Sequence, residues 1–257
     1  MMNAITRTAF KTIVRKEITR FLRIWPQTLL PPAITMGLYF IIFGNLIGKQ
    51  IGTVHGFTYM QYIVPGLVMM SMITNAYANV STSFFGTKFQ RNIDEMLIAP
   101  IPNYVILLGY IIGGTLRGLA VGIIVSIIAL LFTHLYLHNI LVTLFVAFFS
   151  VLLFSLAGFT NGLFARKFDD VSIIPTFVIT PLTYLGGVFY SIQMLPGFWQ
   201  DASKLNPILY MVDAFRYGIL GVSDIPVAIG LGMIILFTVA LFLVNLHLMN
   251  RGYGLKS

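Results

Sequence analysis

Lys88-Phe-Gln-Arg-Asn-Ile-Asp-Glu-Met-Leu-Ile-Ala-Pro100 stands between two apolar runs of membrane length, one ending near Phe85 and the next starting near Tyr104. Charge held between two spans must sit in water or against another protein, because an ionised side chain at the bilayer centre costs at least about 2.5–3.5 kcal/mol. Arg91, Asp94 and Glu95 lead into Met96 and Leu97, so the stretch reads as a short amphipathic helix presented to a soluble partner. A membrane chain with such a contact helix and no catalytic cluster of its own is driven from outside itself.

Outward from this segment the chain is apolar nearly throughout. Of its 257 residues 58% are hydrophobic and only 9% charged, against about 45–50% and about 25% in soluble domains. This composition predicts an all-α integral membrane protein forming one domain over residues 1–257. Runs of about 20 apolar residues place six spans at Trp25–Ile47, Met60–Phe85, Tyr104–Phe132, Ile140–Phe164, Val171–Tyr190 and Val227–Met249. Basic residues mark one side: Arg7, Lys11, Arg15, Lys16, Arg20 and Arg23 before the first span, Lys88 and Arg91 after the second, Arg166 and Lys167 after the fourth, Arg251 and Lys256 after the sixth. The other side carries Lys49, Lys204 and Arg216. By the positive-inside rule both termini are expected in the cytoplasm. The net charge of +8 is therefore topological; it suits an acidic lipid surface and not a nucleic acid. No small-residue cleavage site follows the first apolar run, so it is not expected to be a cleaved signal peptide. Absence of Cys removes thiolate and disulfide chemistry.

Two further segments stand out. In residues 1–24, Phe10, Ile13, Val14, Ile18, Phe21 and Leu22 recur at helical spacing, with Arg7, Lys11, Arg15 and Arg20 largely opposite. This pattern predicts an amphipathic helix lying in the membrane interface, or a plain positive anchor for the first span. Residues 187–222 are too apolar for an ordinary loop and too broken by Pro196, Gly197 and Pro207 for a span. They read as short re-entrant or interfacial helices on the outer side, since irregular backbone at membrane depth needs protein or water around it.

Sites for chemistry are sparse. Gly44–Gln50 resembles a phosphate-binding loop but is one residue short and lacks Ser or Thr after Lys49. His134 and His138, four apart, would share a helix face that could bind a metal, or lie in a solvated loop; no third ligand is near in sequence. His55 and His247 stand alone, and no Ser/His/Asp set converges along the chain. Arg117 lies well inside a span: it either lines a polar path or pivot, or sits near the interface because the first turns of its helix protrude, the reading that demands least. Gly114, Gly118 and Gly122, with Gly158 and Gly162 in the next span, predict close packing of those two helices. Asn75 and Asn79 in the second span, with Thr176, Thr180 and Tyr184 in the fifth, are the candidate lining of a path. Asp213 and Arg216, three apart, read as a structural ion pair.

Together, Phe89–Ile101, Phe168-Asp-Asp170, Gly186-Gly-Val-Phe-Tyr190, Leu205-Asn-Pro207 and Asp213-Ala-Phe-Arg216 resemble the ABC type-2 permease family, the membrane half of ATP-binding-cassette exporters. The resemblance covers nearly the whole chain and is nearest to bacterial half-permeases that export drugs or lipo-oligosaccharides. It implies a pair of permeases, a homodimer or this chain with a related permease, with two copies of an ATPase subunit, which would hold ATP and Mg while this chain binds no cofactor. Residues 88–100 would be the coupling helix, with Phe89, Arg91, Asp94, Glu95, Met96 and Leu97 at the ATPase and Phe168 and Asp169 as a smaller contact. Spans one, two and five would form the seam and path. Phe189, Tyr190, Asn206 and Pro207 would belong to an outer gate. The implied location is the bacterial cytoplasmic membrane and the implied cargo an amphipathic or lipid-linked molecule. A self-contained secondary transporter or channel is the alternative, disfavoured by the lack of acids inside the spans; an enzyme is a third and weaker reading.

Overall fold

A computed structural model describes residues 4–254; Lys256 lies outside the described residues. The chain is all-α except for one hairpin of two-residue strands. Helix α1 spans Ala4–Arg23. A turn at Trp25–Thr28 leads into α2, Leu30–Tyr39, which runs on through a wider π-helical stretch, Phe40–Ile47. Strands β1 (Thr53–Val54) and β2 (Phe57–Thr58) pair antiparallel around His55 and Gly56. Both turn residues have positive φ, 50° and 81°, as a two-residue hairpin turn with right-handed strand twist requires.

Helix α3, Tyr59–Phe89, begins with a reciprocal cap in which the Thr58 hydroxyl accepts from the Gln61 backbone N–H and the Gln61 side-chain Oε1 accepts from the Thr58 backbone N–H. It is the hub. Helices α5 (Asn103–Leu130) and α6 (Ile140–Phe164) pack against it over most of their length. The glycine stripes act here: Gly114 and Gly118 of α5 meet Ser155 and Val151 of α6, as sequence spacing predicts, and both stripes also meet α3, which spacing does not name. A Cβ at Gly118 would meet Ala76 and the Met72 carbonyl of α3, and one at Gly158 or Gly162 would meet the carbonyls of Tyr77 or Ser81. Both stripes therefore close principally on α3, because the central helix is enclosed on most sides and its neighbours must approach its backbone.

Beyond α4 (Asn92–Ile98), the chain continues through α5 and α6 to α7, Phe168–Ile174. This helix passes through a π-helical turn at Pro175–Ile179 into Thr180–Tyr184. Among the described residues five helices are long and apolar enough to cross a membrane: Trp25–Gly44, Tyr59–Phe89, Asn103–Leu130, Ile140–Phe164 and Val227–Arg251. The expected fifth span, Val171–Tyr190, is helical only to Tyr184, where the chain turns at Leu185–Gly187. Short helices α8 (Gly197–Lys204) and α9 (Pro207–Leu220) precede α10 (Val227–Arg251). Helix α9 is bounded by an Asn206 cap, Pro207 in its first turn and Gly221 at φ 78°, the arrangement that stops a helix cleanly at both ends.

The basic residues gather at one end. The Lys88 ammonium donates to the carbonyls of Leu163 and Ala165, both at 2.6 Å, and of Gly254. It thereby satisfies the orphan carbonyls and the negative dipole end of α6, and ties α3, α6 and the segment after α10 together.

Candidate functional site

At the basic end, α4 is entered through a tight turn in which Arg91 adopts a left-handed φ of 61°. The turn breaks α3 from α4. Ile93 is buried at 1% exposure in a cluster with Ile13, Phe84, Ile106 and Tyr110. Met96 is half-buried, its sulfur 3.9 Å from the Tyr110 hydroxyl. The inward face of α4 is thus Ile93 and Met96, and the exposed face carries Asp94, Glu95, Leu97 and Ile98, the last 85% exposed. Met96 belongs to the seat of the helix; Ile98, which sequence reading passes over, is its most exposed apolar side chain. Phe89 and Phe168 are both more than half exposed and meet edge to face with centroids 5.0 Å apart. The expected main and minor contact segments are therefore one continuous surface. Asp169 is exposed beside them, while the Asp170 carboxylate accepts the N–H groups of Arg166 (2.8 Å) and Lys167 (3.0 Å), which hold its pKa below the usual carboxylate range. A cleft of about 660 Å³ lined by Phe85, Lys88, Phe89, Arg91, Phe164 and Arg166 opens between the end of α3 and the loop that follows α6.

Helix α1 packs on α5, not on lipid alone. Ile13 lies against Gly109 and Glu17 against Gly113. Glu17 is fully buried; its carboxylate accepts the Ser83 hydroxyl at 2.8 Å and Arg20 at 3.1 Å. Arg20 also reaches the Asn79 side-chain oxygen at 2.8 Å, and Arg117 donates to that atom at 3.3 Å, to Asn75 at 3.2 Å and to the Thr28 carbonyl at 3.4 Å. Arg117 thus lies level with the turn leading into α2. It does not snorkel into water: it bridges three helices and lines a cavity. Glu17 is the residue sequence reading missed. It is the single acid among the basic residues of positions 1–24, a signal that could have marked it.

The expected path residues divide. Asn75 and Asn79 are hydrogen-bonded into the Arg20–Arg117 network, whereas Thr176 and Tyr184 are exposed and the Thr180 hydroxyl caps the Pro175 carbonyl at 2.9 Å. Tyr184 stacks on Phe189, which meets Tyr39 and Phe43 of the first span run. Of the expected outer gate, Phe189 belongs to this aromatic cluster and Tyr190 is half-buried. Asn206 serves as the α9 cap and donates to the Leu182 carbonyl, while Pro207 faces Leu153, Phe154 and Phe237.

The far end is held by buried charge. Asp213 and Arg216 are 2% and 1% exposed and 3.8 Å apart. Asp213 accepts the N–H groups of Asp224 and Ile225, and Arg216 lies 4.1 Å over the Tyr62 ring while donating to the carbonyls of Tyr62 and Gly187. His55, isolated in sequence, meets Asp224 at 3.3 Å and Ser191 at 3.4 Å through one nitrogen, Nε2. Ser191 donates directly to Asp224 at 2.8–2.9 Å. A nucleophilic triad needs the imidazole between hydroxyl and carboxylate, each on a different nitrogen; here the hydroxyl proton goes to the carboxylate and the set is a tie. His134 and His138 lie in an irregular loop rather than on a helix face, with His138 against Tyr217. Among the described residues no group of three His, Asp or Glu could hold a metal.

Comparison with known proteins now bears on this geometry. The ABC-2 type transporter family model matches residues 8–220. The chain belongs to the ABC-2 transporter family. It is 59% identical to the inner membrane transport permease YadH of Escherichia coli K12 over 249 residues, 97% of each chain. It is 24% identical to nodulation protein J of Rhizobium leguminosarum bv. viciae over 83% of each chain, and 22% identical to that of Rhizobium meliloti over 83% of this chain and 82% of the relative. As an ABC-2 permease it is a membrane subunit of an ABC transporter and not an enzyme, and an ATP-binding partner subunit is implied.

Proposed function

We propose that this permease works as a homodimer with two ATPase subunits docked at its basic end, and exports an amphipathic or lipid-linked molecule from the bacterial inner membrane. ATP and Mg bind to the partner; this chain carries no cofactor. Both termini are cytoplasmic, the run Val171–Tyr190 completes six crossings, and α8 and α9 form an outer re-entrant cap. Helix α1 rests at the membrane lipid surface. The observation that carries this reading is the exposed apolar surface of Phe89, Leu97, Ile98 and Phe168, at the end with most of the positive charge. Exposed aromatic and aliphatic side chains on a rigid seat, rimmed by Arg91, Asp94 and Glu95, are the anatomy of a protein contact.

The test is co-purification in mild detergent. The native chain should bring down a stoichiometric ATPase. Replacing Leu97 and Ile98 together by Asp should abolish its recovery, since burying each side chain contributes about 1.5–3 kcal/mol. Unchanged recovery from a correctly inserted double variant would refute the assignment.

A further inference from the structure

We propose that the cavity at Arg117 is a binding site for an anionic amphiphile, a molecule with one negatively charged head and an alkyl chain. The cavity measures about 380 Å³ and is lined by residues that include Gln27, Thr28, Met36, Tyr39, Asn75 and Arg117. The one charged side chain of the lining is Arg117, where it meets the Thr28 carbonyl. From there the wall continues along Pro31, Pro32, Met36 and Met70, with the hydroxyls of Thr35 and Ser71 among them. Met36 stands 8 residues beyond Thr28, about 12 Å at helical rise, so a charged head at Arg117 leaves room for a chain along a mostly apolar wall.

Charge fixes the sign of the head. All three Arg117 hydrogen bonds go to neutral oxygens, and among the described residues it has no carboxylate partner. Its Nε is buried and unbonded. The one acid of the neighbouring network, Glu17, is occupied by Ser83 and Arg20. Lys16, Arg20 and Arg117 against Glu17 leave the cluster two positive charges in excess. A guanidinium held at the wall of a cavity by neutral acceptors alone is stabilised by any anion that enters. This inference deepens the export reading by naming a substrate class, and it rests on that reading only for the word substrate.

The measurement is native mass spectrometry of the purified permease released from detergent, titrated with lysophosphatidylglycerol or with lysophosphatidylcholine of the same chain. The native chain should prefer the anionic lipid by about tenfold to a hundredfold, the range of one charge-assisted contact. Arg117→Gln should lose that preference, and Arg117→Lys should keep part of it. Thr35→Trp, which fills the cavity without touching charge, should weaken both lipids and guards against a folding defect in the charge variants. Equal affinity for the two lipids, or a preference unchanged in Arg117→Gln, overturns the proposal. So does competition by inorganic phosphate at the same concentration, which would leave the apolar half without a role. A further arm separates two sources of the same chemistry. Displacement by two-chain phosphatidylglycerol identifies a bilayer lipid, and its failure to displace identifies a single-chain cargo. Binding is read on the permease alone, so loss of ATPase recovery would not touch this result, nor this result that one.

Discussion

Replacing Glu17 by Ala should be among the most damaging single changes at the basic end, although the residue sits in a surface helix of basic character. Its side chain is fully buried and surrounded by Ser83, Arg20 and, at 4.0 Å, Lys16. A hydrogen bond from a neutral group to a buried charge is worth about 1.5–3 kcal/mol. The Arg20 pair adds at most about 1 kcal/mol, because the Arg20 side chain is 29% exposed and screened. The sum is about 3 kcal/mol, at the low end for removing one partner of a buried pair, since Arg20 retains Asn79. For a chain of this size that corresponds to a fall in Tm of about 6–12 °C. The assay is thermal unfolding in detergent followed by tryptophan emission, with trypsin cleavage at Lys16 and Arg20 as a local probe of α1. Glu95→Ala, an exposed acid, is the control. Adding Arg20→Ala to Glu17→Ala should cost less than the two single changes summed, because each single change strands the other charge. If Glu17→Ala melts within 1–2 °C of Glu95→Ala (about the effect expected of a surface site), the buried-charge account of α1 is wrong.

Other outcomes follow from the same contacts. Gly158→Val should destabilise the bundle by about 1–3 kcal/mol or more, read as Tm, because its new Cβ meets the Tyr77 backbone carbonyl, which cannot rotate away. Arg216→Lys should cost about 2–4 kcal/mol in the same measurement: an ammonium cannot lie on the Tyr62 ring and fork to two carbonyls at once. Asp170 has a folded pKa below its ordinary value, so its contribution is full above about pH 4 and is lost as pH falls through the folded value. Asp170→Asn should therefore loosen the Arg166–Phe168 turn to proteases at neutral pH and remove the acid-side change seen in the parent; identical cleavage of the two proteins at pH 7 would show that the cap does not order the turn.

The segment Lys88–Pro100 was legible because charge between two apolar runs has few places to go. Its inward face was not, because Ile93 and Met96 are chosen by where α1 and Tyr110 happen to stand. The glycine periodicity showed close packing, but helical spacing names no partner, and α3 reached both stripes. Five long spans were readable from length and hydropathy alone. The fifth expected span was harder to delimit, since its π-helical turn shifts the helical phase and Gly187 at φ 70° turns the chain before Tyr190. Arg117 was visible as an anomaly, a basic residue in the middle of an apolar helix. Its partners were not, because they lie 38 to 89 residues away.

Those partners give the basic end a mechanical consequence. Ile93 and Met96 of α4 touch a core that also contains Ile13 of α1 and Tyr110 of α5. The Tyr110 hydroxyl bonds Thr87, and Lys16 of α1 donates to both. From Lys16 one turn of α1 leads to Glu17 and Arg20, and from Arg20 the shared oxygen of Asn79 leads to Arg117. Close-packed interiors transmit displacement with little compression, and no flexible linker intervenes between α4 and α1 along this route. A shift of α4 imposed by a docked subunit would reach Arg117 through α1, by side-chain contacts, as well as through the α3 and α5 backbones. The guanidinium has several neutral acceptors and no carboxylate, so it can exchange one for another at small cost. If an anion binds there as proposed, a cation held that way is suited to grip it in one arrangement and release it in the next.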